Sequence, residues 1–108
     1  MSLDRTDVID AVGTRKDTMD IILYIIDSWD WKNEGEHLLK LQEKLNSYFE
    51  FIERGQIYED YPSAAGKRIG IDVMSRFPLP AAGVALLAKA DVVARQLNVS
   101  VTQWKDTG

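Results

Sequence analysis

The stretch Ile21-Ile22-Leu23-Tyr24-Ile25-Ile26 is the longest uninterrupted run of hydrophobic side chains in the chain. Successive side chains of a strand point to opposite faces, so a strand that is apolar at both parities is buried on both faces and lies inside its sheet. The run Val8–Val12 is also β-prone, and the polar connector 14–17 separates it from the longer run. The two runs therefore predict a β-hairpin whose first strand, with Asp7 before it and Asp10 within it, lies at the edge of the sheet.

Two helices are predicted from apolar side chains that repeat at the helical period. The first begins at Asn33, a favourable N-cap residue, and ends at Gly55, a typical residue just beyond a helix C-terminus. Lys44 is expected outside its apolar stripe, which consists of Leu38, Leu41, Leu45, Tyr48, Phe49 and Ile52. The second helix is expected to begin at Pro80 and to end at Asn98.

The remaining segments complete the predicted fold. Residues 68–77 alternate as a strand with one strongly apolar face, Val99–Trp104 is a last alternating strand, and residues 56–62 are expected to form an irregular arm. The order is then ββαβαβ. Because right-handed crossovers keep both helices on the same side, we predict an α+β two-layer sandwich, with a four-stranded mixed sheet and two helices on one face. At 108 residues the chain is expected to be a single domain, residues 1–108.

The composition narrows the class of protein. The chain contains no cysteine, which excludes disulfides and thiolate nucleophiles and fits a reducing cytoplasm. Its longest apolar run is far shorter than the roughly 20 residues that span a bilayer, and its acidic start does not resemble a signal peptide. We therefore expect a cytoplasmic protein that does not enter a membrane.

The net charge of −4 is unevenly distributed. Residues 1–62 contain 14 acidic and 7 basic residues, net −7, whereas residues 63–108 contain 3 acidic and 6 basic residues, net +3. Binding to nucleic acid depends on Lys and Arg that displace counterions from phosphates, so the overall acidity disfavours it. The acidic part instead favours a basic protein partner.

The densest polar cluster lies where the second strand meets the first helix and comprises Asp27, Asp30, Glu34, Glu36 and His37. Carboxylates and imidazole are ligand types that metals accept, and ligands often bind at strand ends. Acidic residues at a helix N-terminus are also simply stabilising, by about 0.3–1 kcal/mol each. His37, the only histidine, fits either a structural imidazole or a proton-transfer group. The structural interpretation is favoured, so we assign no catalytic residue, metal or cofactor.

Aromatic side chains accompany the acidic residues. Trp29 and Trp31 are two residues apart on an extended segment, and Tyr58 and Tyr61 lie on the predicted arm. Such side chains either close the ends of the sandwich or serve as interface hot spots, where aromatic residues are enriched. The candidate interaction surface therefore comprises Asp27, Trp29, Asp30, Trp31, His37, Tyr58 and Tyr61.

Four segments resemble a family of small uncharacterised bacterial proteins. They are the first segment from Asp7 to Gly13, the strand-to-helix segment from Ile25 to Trp31, the helix segment from His37 to Asn46 and the stretch from Phe51 to Tyr58. The resemblance covers most of the chain. It implies a bacterial cytoplasmic protein and supplies no catalytic residue.

The leading hypothesis is a non-enzymatic protein-interaction module that offers its acidic, aromatic-containing surface to a basic partner. An immunity-type protein and a homodimer are two forms that it would take. The alternative is a small metal-dependent hydrolase or metal-binding protein that uses Asp27, Asp30 and His37. Whether the chain is an enzyme stays open at this point, with the non-enzymatic hypothesis favoured.

Overall fold

The computed structural model describes residue 3 and residues 5–104, which form an α+β fold. A short 3-10 helix, Pro62–Ala64, follows the second α-helix. The strands and α-helices, in chain order, are β1 (Ala11–Thr14), β2 (Ile21–Asp27), α1 (Glu34–Glu53), α2 (Gln56–Asp60), β3 (Ile69–Ser75), α3 (Ala81–Arg95) and β4 (Val99–Trp104). None of the described helices combines the length and the apolarity needed to cross a membrane.

The four strands form one mixed sheet in the order β1-β2-β3-β4. β1 and β2 are antiparallel, whereas β2, β3 and β4 run parallel, with Leu23 beside Ile71 and Ile71 beside Val101. The hairpin, the edge position of the first strand and the interior position of the second are therefore confirmed. Five of the seven β2 residues are buried, and four of them lie on the face that packs into the core. On the opposite face Tyr24 is half-buried and Ile26 is exposed, so the prediction that this strand is buried on both faces was wrong.

The predicted element order was wrong between α1 and β3, where the expected irregular arm forms the helix α2. Gly55 has a φ of +79°, a left-handed conformation that costs glycine little, and it ends α1 and starts the new turn. Its carbonyl accepts a hydrogen bond from the amide of Tyr58 at 3.0 Å. The turn of helix places Ile57 in the core with none of its surface exposed, and this burial explains why the segment is ordered.

The predicted capping residues Asn33 and Asn98 agree with the structure, whereas the predicted position of Pro80 is wrong by one residue. The Asn33 side chain accepts a hydrogen bond from the Glu36 amide at 3.3 Å, which satisfies one of the free donors at the start of α1. Asn98 has a φ of +59° in the connection from α3 to β4, the left-handed stop that its residue type favours. At the start of α3, Pro80 is the N-cap rather than the first helical residue.

The core is one cluster of buried side chains. It joins the alternate residues of β2 and β3, such as Leu23 and Ile71, to one face of α1 and to the buried residues of α3, including Leu87 and Ala94. Both long helices therefore pack into the same core as the parallel strands. A strict two-layer arrangement with both helices on one face of the sheet stays a prediction.

Candidate functional site

Asp27 lies at the carboxyl end of β2, on the same strand face as the core residues Leu23 and Ile25. Strand alternation directs its side chain toward the core, where it is only 1% exposed. One carboxylate oxygen accepts the backbone amide of Trp29 at 3.1 Å. Burial raises the pKa of Asp27 above its ordinary value, and this effect exceeds the opposing effect of its hydrogen bond with His37.

His37, in the first turn of α1, uses both ring nitrogens within the protein. Nδ1 lies 2.8 Å from the backbone carbonyl of Asp30, which can only accept, so Nδ1 carries a proton. Nε2 lies 2.5 Å from a carboxylate oxygen of Asp27, and His37 is 1% exposed. Because both nitrogens are engaged and buried, the imidazole in this conformation offers neither a free lone pair nor a free proton to a substrate.

Two tryptophans complete the environment of the imidazole. The Trp31 ring stacks on it with centroids 3.4 Å apart and planes 10° apart, and the Trp29 ring approaches edge-on at 5.7 Å. We call residues 27–37 the junction. Its Asp27–His37 pair fastens the loop that leaves β2 onto the start of α1, so these four side chains act together as a structural corner.

The metal interpretation receives no support from this geometry. Within the described part of the chain, no group of three or more His, Cys, Asp or Glu side chains could hold a metal ion. The carboxylate of Asp30 accepts the amide of Lys32 at 3.1 Å, and Glu36 accepts from the Asn33 side chain at 3.0 Å. The shallow pocket of about 330 Å³ beside the junction is lined by Trp29, Asp30 and Glu36, among others.

The structure divides the predicted interaction surface into two places. At the junction, Asp27 and His37 are buried, so a partner would reach only Asp30 and the partly exposed tryptophans. Tyr58 and Tyr61 lie beyond the opposite end of α1, whose 20 residues span about 30 Å. They are 42% and 37% exposed. The seven residues therefore cannot form one continuous patch.

A concave surface lies at the second of these places. We call it the cleft; its volume is about 560 Å³, and it lies between the N-terminal segment 7–9, the last turns of α1, and α2 with Tyr61. Three carboxylates line it, those of Asp7, Glu50 and Asp60. Phe51 and Tyr61, with ring centroids 6.5 Å apart in an edge-to-face arrangement, form part of its wall.

A buried ion pair holds the N-terminal wall of the cleft in place. The ammonium group of Lys44 lies 2.7 Å from the Asp10 carboxylate and donates to the Arg5 carbonyl at 2.8 Å. The other Asp10 oxygen accepts a hydrogen bond from the amide of Ile26 at 2.9 Å. This bond continues the contact along β2 beyond Tyr24, the last β2 residue that pairs with β1. The chain is therefore pinned on both sides of Asp7, Val8 and Ile9.

Tyr48, one turn after Lys44 on α1, extends this network. Its hydroxyl donates to the Tyr24 carbonyl at 2.6 Å and accepts the Asp10 amide at 2.9 Å. Burial raises the pKa of its phenol well above the ordinary value, so Tyr48 stays neutral and keeps its donor. Together Lys44 and Tyr48 connect α1 to the segment before β1 and to β2.

This network was not predicted, because Lys44 was expected outside the apolar stripe of α1. That expectation was wrong, since Lys44 is fully buried. A signal was available: Lys44 is three residues after Leu41 and four before Tyr48, the spacings that bring helix side chains onto one face. Only the position of Asp10 in three dimensions, 34 residues away in sequence, shows why a lysine belongs there.

Comparison with known proteins identifies a family without an assigned activity. Searches among curated proteins and among solved structures gave no match. Residues 1–106 match a family of unknown function, DUF6572, which agrees with the resemblance to an uncharacterised family. Because the match extends over nearly the whole chain, the protein belongs to this family of unknown function.

Proposed function

We propose that the protein is a non-enzymatic interaction module that offers its acidic cleft to a basic protein partner. The observation that carries this proposal is the cleft itself, which combines a volume of about 560 Å³ with three carboxylates and aromatic walls. In this proposal the module works in the cytoplasm of a bacterium, and an immunity-type role is one form of it.

The cleft is a better candidate than the junction because its chemical groups are free to meet a partner. The side chains of Asp7 and Glu50 are 81% and 67% exposed, and Asp60 is exposed as well. At the junction, in contrast, the Asp27–His37 pair is 1% exposed and internally bonded. A partner gains more from exposed carboxylates beside aromatic walls than from a buried, satisfied pair.

The charge distribution supports a basic partner. The cleft is built from residues of the acidic part of the chain, residues 1–62, which carries a net charge of −7. A field of one sign speeds association with a partner of the opposite sign and is weakened by salt. A basic partner is therefore expected to bind fast at low ionic strength and more weakly at high ionic strength.

Affinity capture with matched charge variants tests the proposal. The bait would be the wild-type chain, a cleft variant Asp7→Asn/Glu50→Gln/Asp60→Asn, and a control variant Asp17→Asn/Glu34→Gln/Glu43→Gln. All three control positions are exposed and lie outside the cleft, so both variants lose the same formal charge. Lysate of the source organism would be applied at about 50 mM and about 500 mM salt.

The proposal expects a basic protein that the wild type and the control retain at low salt and that the cleft variant does not. Recovery should fall at high salt, as for an electrostatically assisted complex. Equal retention by the cleft variant, or no partner in either condition, would contradict the proposal. Light scattering on the purified chain separates this outcome from self-association, since a homodimer would form without lysate.

A further inference from the structure

We infer that the cleft binds an arginine-bearing segment of the partner, and that Arg54 occupies the place of that arginine when the partner is absent. This inference rests on the proposed function and specifies its chemistry. It follows from three features of the cleft: loosely held carboxylates, an internal guanidinium beside them, and exposed apolar walls.

Among the described residues, two carboxylates of the cleft, those of Glu50 and Asp7, make weak ionic contacts. Arg54 lies 4.0 Å from Glu50, and Arg5 lies 3.9 Å from Asp7, both at the outer limit for an ion pair. The side chains in these pairs are 67–81% exposed, a situation in which ion pairs contribute little. A partner's cation can therefore replace these contacts at small cost.

Asp60 provides a third acceptor without a cationic partner of its own in the described contacts. It accepts the neutral Gln56 side chain at 3.0 Å. A guanidinium presents five donors in a planar fork, which suits it to bridge two carboxylates better than an ammonium does. Glu50 and Asp60 both line the cleft, so arginine, which has more donors than lysine, is the basic side chain best suited to it.

The walls of the cleft favour the same side chain. Val8 and Tyr61 are each 37% exposed, and the Tyr61 ring meets Phe51 edge-to-face. Guanidinium groups stack on aromatic faces, and the aliphatic stem of arginine packs on apolar surface. The volume of about 560 Å³ lies within the range of ligand pockets and accommodates one or two side chains of a peptide.

Arg54 has the position of an internal competitor. It lines the cleft from the C-terminal end of α1, and its side chain is 77% exposed beside Glu50. When a partner's arginine binds, the two like charges would compete for the same carboxylate. Removal of Arg54 should therefore strengthen binding of an arginine peptide, an effect that a purely structural arginine would not produce.

The test uses the full-length, isotope-labelled protein and a defined probe, the peptide acetyl-Gly-Arg-Leu-Arg-Gly-amide, with its citrulline counterpart as the uncharged control. Amide chemical shifts would be followed during titration at about 20 mM and about 200 mM salt. Shift changes are expected at Asp7, Phe51 and Tyr61 with the arginine peptide, weaker at the higher salt and absent with the citrulline peptide.

Single-residue variants test which cleft side chains determine the affinity for the arginine peptide. Arg54→Ala should tighten binding about two- to fivefold, the range that follows from removing one exposed ion pair. Tyr61→Ala and Asp60→Asn should each weaken it. Arg76→Ala removes the same charge outside the cleft and should change the affinity by less than Arg54→Ala does. All four positions are exposed, and the dispersion of the amide spectrum verifies that each variant is folded.

Three outcomes overturn the inference: no shift changes, changes spread over other surfaces, or equal binding of the citrulline peptide. An unchanged or weaker affinity in Arg54→Ala overturns the role of Arg54. If the peptide fails to bind while lysate capture remains specific for the cleft, the inference falls and the proposed function stands. If capture fails as well, both fall.

Discussion

The buried pair of Lys44 and Asp10 provides the sharpest prediction about stability. Substitution of Lys44 by methionine keeps the length of the side chain and removes its charge and its donors. The Asp10 carboxylate, 9% exposed, would then lose its cationic partner, and the Arg5 carbonyl would lose a donor. The expected result is a large loss of stability, because the carboxylate left behind is charged and largely shielded from water.

The size of the effect follows from the burial of both partners. Removing one member of a buried ion pair costs about 3–5 kcal/mol, against a total stability of about 5–15 kcal/mol for a natural domain. With a urea dependence of about 1.5 kcal/mol per molar, the unfolding midpoint would fall by about 2–3 M. Adding Asp10→Asn removes the uncompensated charge, so the double variant should regain about 1–2 kcal/mol.

Urea unfolding followed by circular dichroism measures these differences. Lys40→Met is the matched control, since Lys40 lies one turn earlier on α1 in an exposed pair with Glu43 at 3.7 Å and should change stability by less than about 0.5 kcal/mol. A cost below about 1 kcal/mol for Lys44→Met, or a double variant no more stable than the single one, would refute the reasoning. Either result would mean that Lys44 and Asp10 are not electrostatically coupled.

Three further predictions concern other buried or strained positions. Burial raises the pKa of Asp72 above its ordinary value of 3.8, so the protonated carboxyl stabilises the fold fully below that pH, and this stabilisation is lost as the pH rises through the folded-state pKa. Measured by urea unfolding, the free energy of unfolding of Asp72→Asn relative to wild type should therefore be more favourable at pH 7 than at pH 3.5. A difference that does not depend on pH would contradict this prediction. Asp27→Leu leaves the His37 ring and a loop amide without a partner and should cost about 2–4 kcal/mol in the same assay, so a cost under about 1 kcal/mol would argue against a structural role. Gly55→Ala places a side chain on a residue in the left-handed region and should lower the free energy of unfolding by about 1–2 kcal/mol in thermal unfolding. Gly35→Ala, within α1 and with open space around the new methyl group, should raise it by about 0.5 kcal/mol. Equal effects of the two substitutions would contradict the conformational argument.

The sequence predicted the regular elements well because each has a strong local signal. The run Ile21–Ile26 indicated an interior strand, and the spacing of Leu41, Leu45 and Tyr48 indicated a long helix. α2 was not predicted, because five residues are too few to show a helical repeat of apolar side chains. The proline that follows the segment also disfavours helix at the residue before it. Its helical state depends on the burial of Ile57, a tertiary contact that local preference does not contain.

The candidate site was less predictable than the fold. Proximity in sequence brought Asp27 and His37 to attention, and the structure shows that they contact each other and are used internally. Tyr61 was singled out as an aromatic side chain, yet its cleft neighbours Asp7 and Val8 lie more than 50 residues away in sequence. Local sequence patterns do not indicate which residues so far apart in the chain lie close together in space.

By itself, the sequence determined the hairpin, the two long helices, the mixed sheet and the acidity of residues 1–62. These properties depend on hydrophobic period, capping residues and charge counts, all of which are local or additive. The tertiary structure decided which charged groups are buried, that the acidic and aromatic residues divide between the junction and the cleft, and that Lys44 belongs to the interior. The physical reason is that burial and pairing depend on which residues meet across the fold, and the free energy of a charge depends on that environment far more than on its neighbours in the chain.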